Sequence, residues 1–280
     1  MINSDEIKGK VVVITGAAGV LCGMFSRELC LRGAKVALLD INEQKAKALE
    51  EELTENGGEA FAVGCNVLDK KSLDQAYEKV KSKYGECDIL INGAGGNNPR
   101  ATTSKEYFEE GDDLDPDVKS FFDLDPDGVG FVFDLNFKGA LLTTQAFAKG
   151  MIGRGCSIIN ISSMNAYRPL TKIPAYSAAK AAVSNFTMWL AVHFSKCDLR
   201  VNAIAPGFFI TEQNRALLLN ADGSFTKRSE KILNATPVGR FGEPDELIGT
   251  LLYLCDNKAS GFVNGVVIPV DGGFSAYSGV

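Results

Sequence analysis

Tyr176 and Lys180 stand four residues apart in Tyr-Ser-Ala-Ala-Lys, so on a helix they share one face. A phenol beside an ammonium is a potential acid–base pair. Its pKa, ordinarily near 10, must fall by roughly three units, about 4 kcal/mol of differential stabilisation, to exchange a proton near neutral pH. A neighbouring lysine, together with an oxidised nicotinamide, can supply that stabilisation. The spacing alone selects nothing, because Tyr77 and Lys81 have it too, in a charged helical stretch. What separates the two pairs is the strand before each. The apolar run Ser157–Ile161 ends in Ser162-Ser163, whereas Gly64 occupies the place upstream of Tyr77 that corresponds to Ser163. Only the first pair has a hydroxyl available. Ser163, Tyr176 and Lys180 together suit proton exchange at a carbinol or carbonyl oxygen, with Ser163 bonding that oxygen as negative charge develops.

A second group of residues points to a dinucleotide. Thr15-Gly16 ends an apolar run and Leu21 opens a helical pattern; glycine at such a turn lets the backbone approach a pyrophosphate at the helix N-terminus. Asp40 ends the next run 24 residues after Gly16, close to the spacing of a ribose-binding carboxylate. No Lys or Arg lies between Gly16 and Arg27, or between Asp40 and Lys45, to hold a 2′-phosphate, and Asp40 would repel one. NAD is therefore expected over NADP.

These residues need a scaffold that brings loops together. Val11–Thr15, Lys35–Asp40, Ala60–Val63, Asp88–Ile91, Ser157–Ile161, Arg200–Ile204 and Val266–Val270 are short Val- and Ile-rich runs. Their unbroken apolarity predicts strands covered on both faces. Between them, Leu21–Arg32, Glu43–Asn56, Ser72–Tyr84, Val129–Ile152, Ala175–Lys196 and Pro244–Cys255 carry helical patterns. Alternation of this kind predicts an α/β fold, a single-domain Rossmann-like doubly wound parallel sheet over residues 1–280 with helices on both faces. Ligands then bind beyond the carboxyl ends of the strands. An acidic insertion at about 97–127, with interleaved aromatics, hangs over that edge either as a solvated excursion or as a lid or oligomer contact.

A net charge of −6, without a Lys/Arg cluster, argues against nucleic acid as a partner. The longest apolar stretch is broken at Thr15 and Gly16, so no membrane span is expected. Seven scattered cysteines without a CxxC pair read as reduced thiols of a cytoplasmic protein. No metal site is expected either. Asp123-Leu-Asp-Pro-Asp-Gly128 approaches a calcium loop but has Asp134 in place of its final Glu and Phe131 at a usually polar position. It reads as a turn. His193 lies too late in its helix to join the chemistry.

Together these motifs resemble the short-chain dehydrogenase/reductase family along nearly the whole chain. Asn92-Gly93-Ala94-Gly95 resembles the family's stabilising, cofactor-lining turn, and Asn136 the asparagine that orders a water relaying protons to the lysine. Pro206-Gly207 through Thr211, with Phe209, resembles the segment that holds the nicotinamide carboxamide, and Asp271-Gly272-Gly273 the C-terminal signature. The resemblance implies catalysis by Asn136, Ser163, Tyr176 and Lys180. It implies a cofactor site formed by Gly16, Gly19, Val20, Leu21, Asp40, Asn66, Val67, Asn92, Ala94, Gly95, Tyr176, Lys180, Pro206, Gly207, Phe209 and Thr211. It also implies a homotetramer built on the two long helices beside the site. In two places the chain departs from the family. Val20 and Cys22 replace glycines of its TGxxxGxG loop, where side chains would crowd the pyrophosphate, and Asn66 replaces an adenine-contacting Asp.

Asn165, Arg168, Lys172 and Gln213, with Ser163, are the candidate substrate contacts; amides and cations suit a hydroxylated, anionic small molecule, a sugar acid. The runs 160–176 and 205–215, the acidic insertion and the C-terminal tail resemble the family's D-mannonate oxidoreductase (fructuronate reductase) branch. That implies NADH-dependent reduction of D-fructuronate to D-mannonate. A gluconate 5-dehydrogenase-like activity is the enzymatic rival, and a dinucleotide-binding sensor without turnover is the rival of another class.

Overall fold

The computed structural model describes residues 6–211 and 214–279. Seven strands alternate with helices in chain order: β1 Val11–Thr15, α1 Val20–Leu31, β2 Lys35–Asp40, α2 Glu43–Glu55, β3 Glu59–Gly64, α3 Lys70–Tyr84 and β4 Ile89–Asn92. There follow α4 Pro126–Phe133, a π-helical turn Asp134–Lys138, α5 Gly139–Ala148, β5 Cys156–Ile161, α6 Pro174–His193 and β6 Leu199–Pro206. The chain ends with α7 Arg215–Leu218, α8 Lys227–Asn234, α9 Ile248–Cys255, α10 Asn257–Ser260 and β7 Val267–Val270. All strands are parallel, in the order β3-β2-β1-β4-β5-β6-β7. Strand order reverses between β1 and β4, and a crevice opens there.

Successive residues of β1 show why the strands read as unbroken apolar runs. Val12 and Ile14 join Phe25 and Leu29 of α1 and Leu251 of α9 in one core. Val11 and Val13 join Leu73 and Val80 of α3 and Phe147 of α5 in the other. Side chains alternate across a strand, so helices on both faces make both alternations apolar. β7, at the edge, is only partly buried.

Helix ends follow local chemistry. Asn42 accepts the Lys45 N–H to cap α2, Asp69 accepts the Lys71 N–H at α3, and Asp125 accepts the Gly128 N–H at α4, where Pro126 holds the first position. The calcium-like run is thus spent on caps: Asp123 closes a capping box with Ser120, and Asp134 pairs with Lys138. Among the described residues no three His, Cys, Asp or Glu side chains converge to hold a metal.

Two expectations need correction. The single helix expected over Val129–Ile152 is instead α4, the π turn, α5 and a 3₁₀ turn at Lys149–Met151. One extra residue in the turn re-aims Asn136, and such bulges recur at functional sites. The helices at Arg215–Leu218, Lys227–Asn234 and Asn257–Ser260 were not expected at all. In the acidic insertion, Phe108, Phe121 and Phe122 pack edge to face on one another yet stay exposed, so they form no core. Polar bonds hold the segment instead: Arg100 with Asp125, Lys105 with Asp112, and Lys119 on the carbonyls of Pro99 and Arg100.

Candidate active site

The β1–α1 turn builds one end of the crevice. Gly16 has φ +65°, and a Cβ there would lie 2.9 Å from the Ala94 Cα, so the position needs glycine for its conformation and its close approach. The Thr15 hydroxyl accepts the N–H groups of Gly93 and Ala94 (3.1 and 3.2 Å), tying the two turns together. Gly19 caps α1 without a side-chain acceptor, leaving the helix's first N–H groups facing the crevice. Cys22 also lines this space. It is buried against Gly93, where a Cβ would come 2.2 Å from its sulfur. Burial pushes its thiol up to about 12, so it stays neutral at pH 7. Val20 sits partly exposed at the rim.

Asp40 accepts the Ala18 N–H (3.0 Å) and the Asn42 N–H (2.8 Å), which leaves acceptor capacity on a carboxylate aimed at the loop. Asn66 accepts the Leu68 N–H with its side-chain oxygen. A cavity of about 620 Å³ runs from these residues to Tyr176, and Lys180 is its only lining cation among the described residues. The expected Gly16, Gly19, Val20, Leu21, Asp40, Asn66, Val67, Ala94, Gly95, Pro206, Gly207, Phe209 and Thr211 all line it. Asn92 does not. It is buried below, donating to Thr144 (3.0 Å) and Asn160 (2.8 Å), so its part is structural. Ile41 and Leu135 also line the crevice; as plain apolar residues they gave no signal in the sequence.

At the other end, β5 delivers Ser163, and the first two turns of α6 deliver Tyr176 and Lys180. The Lys180 ammonium donates to the Ile161 carbonyl at 2.8 Å and lies 5.6 Å from the Tyr176 ring centre. Burial pulls this amine down to about 8. In the chain by itself, burial pushes the Tyr176 phenol above its ordinary value, and the hydrogen bond with Ser163 offsets only part of that. The lysine by itself does not acidify the phenol, because desolvation of a buried phenolate dominates. Asn136 is locked to Gly96, donating to its carbonyl (2.7 Å) and accepting its N–H (3.2 Å). Gly95 fits between, since a Cβ there would meet the Asn136 oxygen at 2.6 Å and the Lys180 nitrogen at 3.1 Å.

The sheet brings Asn136, Ser163, Tyr176 and Lys180 to one place. The chain matches the family model for short chain dehydrogenase over residues 10–221. It belongs to the short-chain dehydrogenase family. It is thus an oxidoreductase acting on alcohol and ketone groups. An uncharacterized oxidoreductase of Haemophilus influenzae is 55% identical over 99% of this chain and 97% of its own. A solved structure from Haemophilus influenza, described as a candidate D-mannonate oxidoreductase with bound NAD, superposes with a TM-score of 0.94 at 55% identity. It covers 98% of this chain and 97% of its own. The 5-keto-D-gluconate 5-reductase of Escherichia coli is 32% identical over 96% of each chain.

In this dehydrogenase the pair Tyr77 and Lys81 is better connected than Tyr176 and Lys180. Tyr77 donates to Glu86, and Lys81 reaches both the Tyr77 oxygen (3.3 Å) and Glu86 (2.8 Å). It lies away from the crevice, so the geometry leads nowhere. Of the expected substrate contacts among the described residues, only Ser163 lines the cavity. Asn165 is buried, with its backbone N–H on the Ser163 oxygen (3.2 Å) and its own side-chain oxygen unpartnered. Arg168 is turned to the C-terminal segment, donating to the Ser275 carbonyl (3.1 Å). Lys172 adopts φ +71°, and its carbonyl accepts the Thr103 N–H (2.9 Å), fastening the acidic insertion to the loop before α6. Gln213 lies outside the described residues. The C-terminal signature has a packing reason: a Cβ on Gly207 would sit 2.5 Å from the Asp271 Cα.

Proposed function

We propose that this enzyme is an NAD-dependent oxidoreductase interconverting D-fructuronate and D-mannonate. One observation carries the reading: the NAD-bound protein described as a candidate D-mannonate oxidoreductase matches this chain at 55% identity over nearly its whole length. The residues present fit the cofactor. The open N–H groups of α1 suit a pyrophosphate, and the Asp40 carboxylate suits ribose hydroxyls and repels a 2′-phosphate. Pro206, Gly207 and Thr211 would hold the carboxamide end.

When bound, NAD supplies the hydride acceptor and, oxidised, a positive ring. Everything else falls to the chain. Ser163 donates to the substrate oxygen, and Tyr176 gives it a proton on reduction or takes one on oxidation. Lys180, fixed to Ile161, holds the ribose and places a positive charge beside the phenol. Asn136, fixed to Gly96, would order a water leading from Lys180 to solvent. Asn165 packs behind Ser163, with its backbone N–H on the Ser163 oxygen, and would support that hydroxyl from outside the cavity. A small anionic substrate in the cytoplasm fits the wholly free cysteines and the absence of any described helix long and apolar enough to cross a membrane. A homotetramer fits the exposed Met188, Trp189 and Val192 on α6 and Phe131 on α4.

A second reading, reduction of 5-keto-D-gluconate, is favoured by the 32%-identical reductase. Purified enzyme mixed with NADH or NADPH and a panel of hexuronates, keto-gluconates and simple ketones distinguishes the two by loss of absorbance at about 340 nm. The first reading expects fastest turnover of fructuronate with NADH. Preference for 5-keto-D-gluconate would transfer the assignment, and cofactor binding without any turnover would leave a sensor.

A further inference from the structure

Lys180 is gripped at two points, and only one of them is its ammonium. The Ser162 hydroxyl donates to the Lys180 backbone carbonyl (3.2 Å) and shares a 2.7 Å hydrogen bond with the Ser184 hydroxyl. All three residues are buried. A serine has a single proton to give, and the Lys180 carbonyl can only accept. Ser162 therefore donates to that carbonyl, and Ser184 donates to Ser162. The carbonyl has two lone pairs, so it can take this bond beside its helical one. The ammonium meanwhile donates to Ile161. Consecutive residues at the end of β5 thus hold the head and the backbone of the same lysine, immediately before the strand delivers Ser163.

We infer that Ser162, backed by Ser184, is a positioning residue for this reaction, fixing the first turns of α6 against β5 so that Lys180 and Tyr176 keep register with Ser163. The inference rests on the reading of Tyr176 and Lys180 given above. Its physical basis is that proton transfer between groups on different elements is sensitive to displacements of an ångström or less. A bond from a strand end to a helix carbonyl fixes both slide and rotation of that helix where it matters. The titratable groups facing the ammonium are the Cys22 thiol from α1 and the Tyr176 phenol from α6. The thiol stays neutral through pH 9, so a change in the alkaline limb of activity reports on Lys180 and Tyr176.

The test compares Ser162→Ala, Ser184→Ala and the double variant, using NADH and whichever carbonyl substrate the wild type turns over best. Ser162→Ala is expected to lower kcat about tenfold with KM for the carbonyl within about twofold. Its alkaline limb moves to higher pH by about half a unit as the amine relaxes toward water. Ser184→Ala, which keeps the bond to Lys180, shows a smaller effect of the same kind, and the double variant matches Ser162→Ala because one contact chain is being cut. Should Ser162→Ala lose melting temperature while kcat and the pH profile hold, the serine is packing and the inference falls. Independent, multiplying effects of the two substitutions would overturn it as well. If Ser162→Ala does not fold, Ser184→Ala decides through the same two readouts. Tyr176→Phe serves as the reference: if that variant keeps its rate, the reading of the site fails; if it is inactive while Ser162→Ala is normal, only this inference fails.

Discussion

Residue by residue, the chemistry depends on burial. Removing the phenolic oxygen with Tyr176→Phe should lower kcat by roughly 10²–10⁴-fold, the usual contribution of acid–base catalysis, while leaving the fold intact. Tyr77→Phe, at the same spacing from a lysine, should leave steady-state rates within about twofold; an equal loss in both would remove Tyr176 from its role. Lys180 makes a second test through stability. Its folded value of about 8 lies below the unfolded lysine's value of about 10.4. Below pH 8 the amine is charged in both states, so the full cost of burying it is present. As pH rises through 8 the folded state sheds its proton first and the cost is relieved. Lys180→Met should therefore be inactive yet more resistant to urea at pH 7, by roughly 1–2 kcal/mol once the Ile161 carbonyl loses its donor. The gain should vanish near pH 10. Equal urea midpoints at pH 7 would mean that the ammonium is solvated where it stands.

At the scale of elements, the turns carry more of the site than the helices do. Gly16→Ala forces a side chain into the left-handed region and against Ala94, and should cost about 1–3 kcal/mol in denaturant unfolding. It should also raise KM for NAD more than tenfold. A stable variant with unchanged KM would mean that this turn does not approach the cofactor. Much of this level was readable from residue order. Every expected strand appears within about two residues of its expected bounds, because continuous Val and Ile runs have few alternatives once helices cover both faces. The π turn was not readable. Asp-Leu-Asn-Phe-Lys has ordinary helical propensities, and the extra residue is stabilised by Asn136 bonding to Gly96, 40 positions away in the chain. Nor were α7 and α8, short helices whose buried face, Leu218 and Ile232 with Phe241, exists only when the post-β6 segment folds on itself.

Across the whole molecule, the order of strands places the crevice, and its rim joins distant segments. Lys231 of α8 pairs with Glu106 of the acidic insertion (2.9 Å), so two excursions meet over the edge where the strands end. The exposed apolar side chains on α4 and α6 suit the proposed subunit packing. Light scattering should therefore return about four times the 30.0 kDa chain mass, and Trp189→Glu should reduce it. A wild-type monomer would remove the proposed tetramer.

Read alone, the sequence determined the parallel sheet, the turn glycine, the carboxylate at the end of β2 and the grouping of Ser163, Tyr176 and Lys180, with Asn136 added by resemblance to the family. The residues read directly are set by local periodicity or by a residue type that few positions tolerate. Tertiary structure decided the rest: that Cys22 packs its sulfur beside Gly93 at the crevice wall, that Asn92 serves the core, that Arg168 faces the C-terminal segment, and that burial raises the Tyr176 phenol. Direction and desolvation depend on neighbours brought close by folding, and spacing along a chain does not encode them.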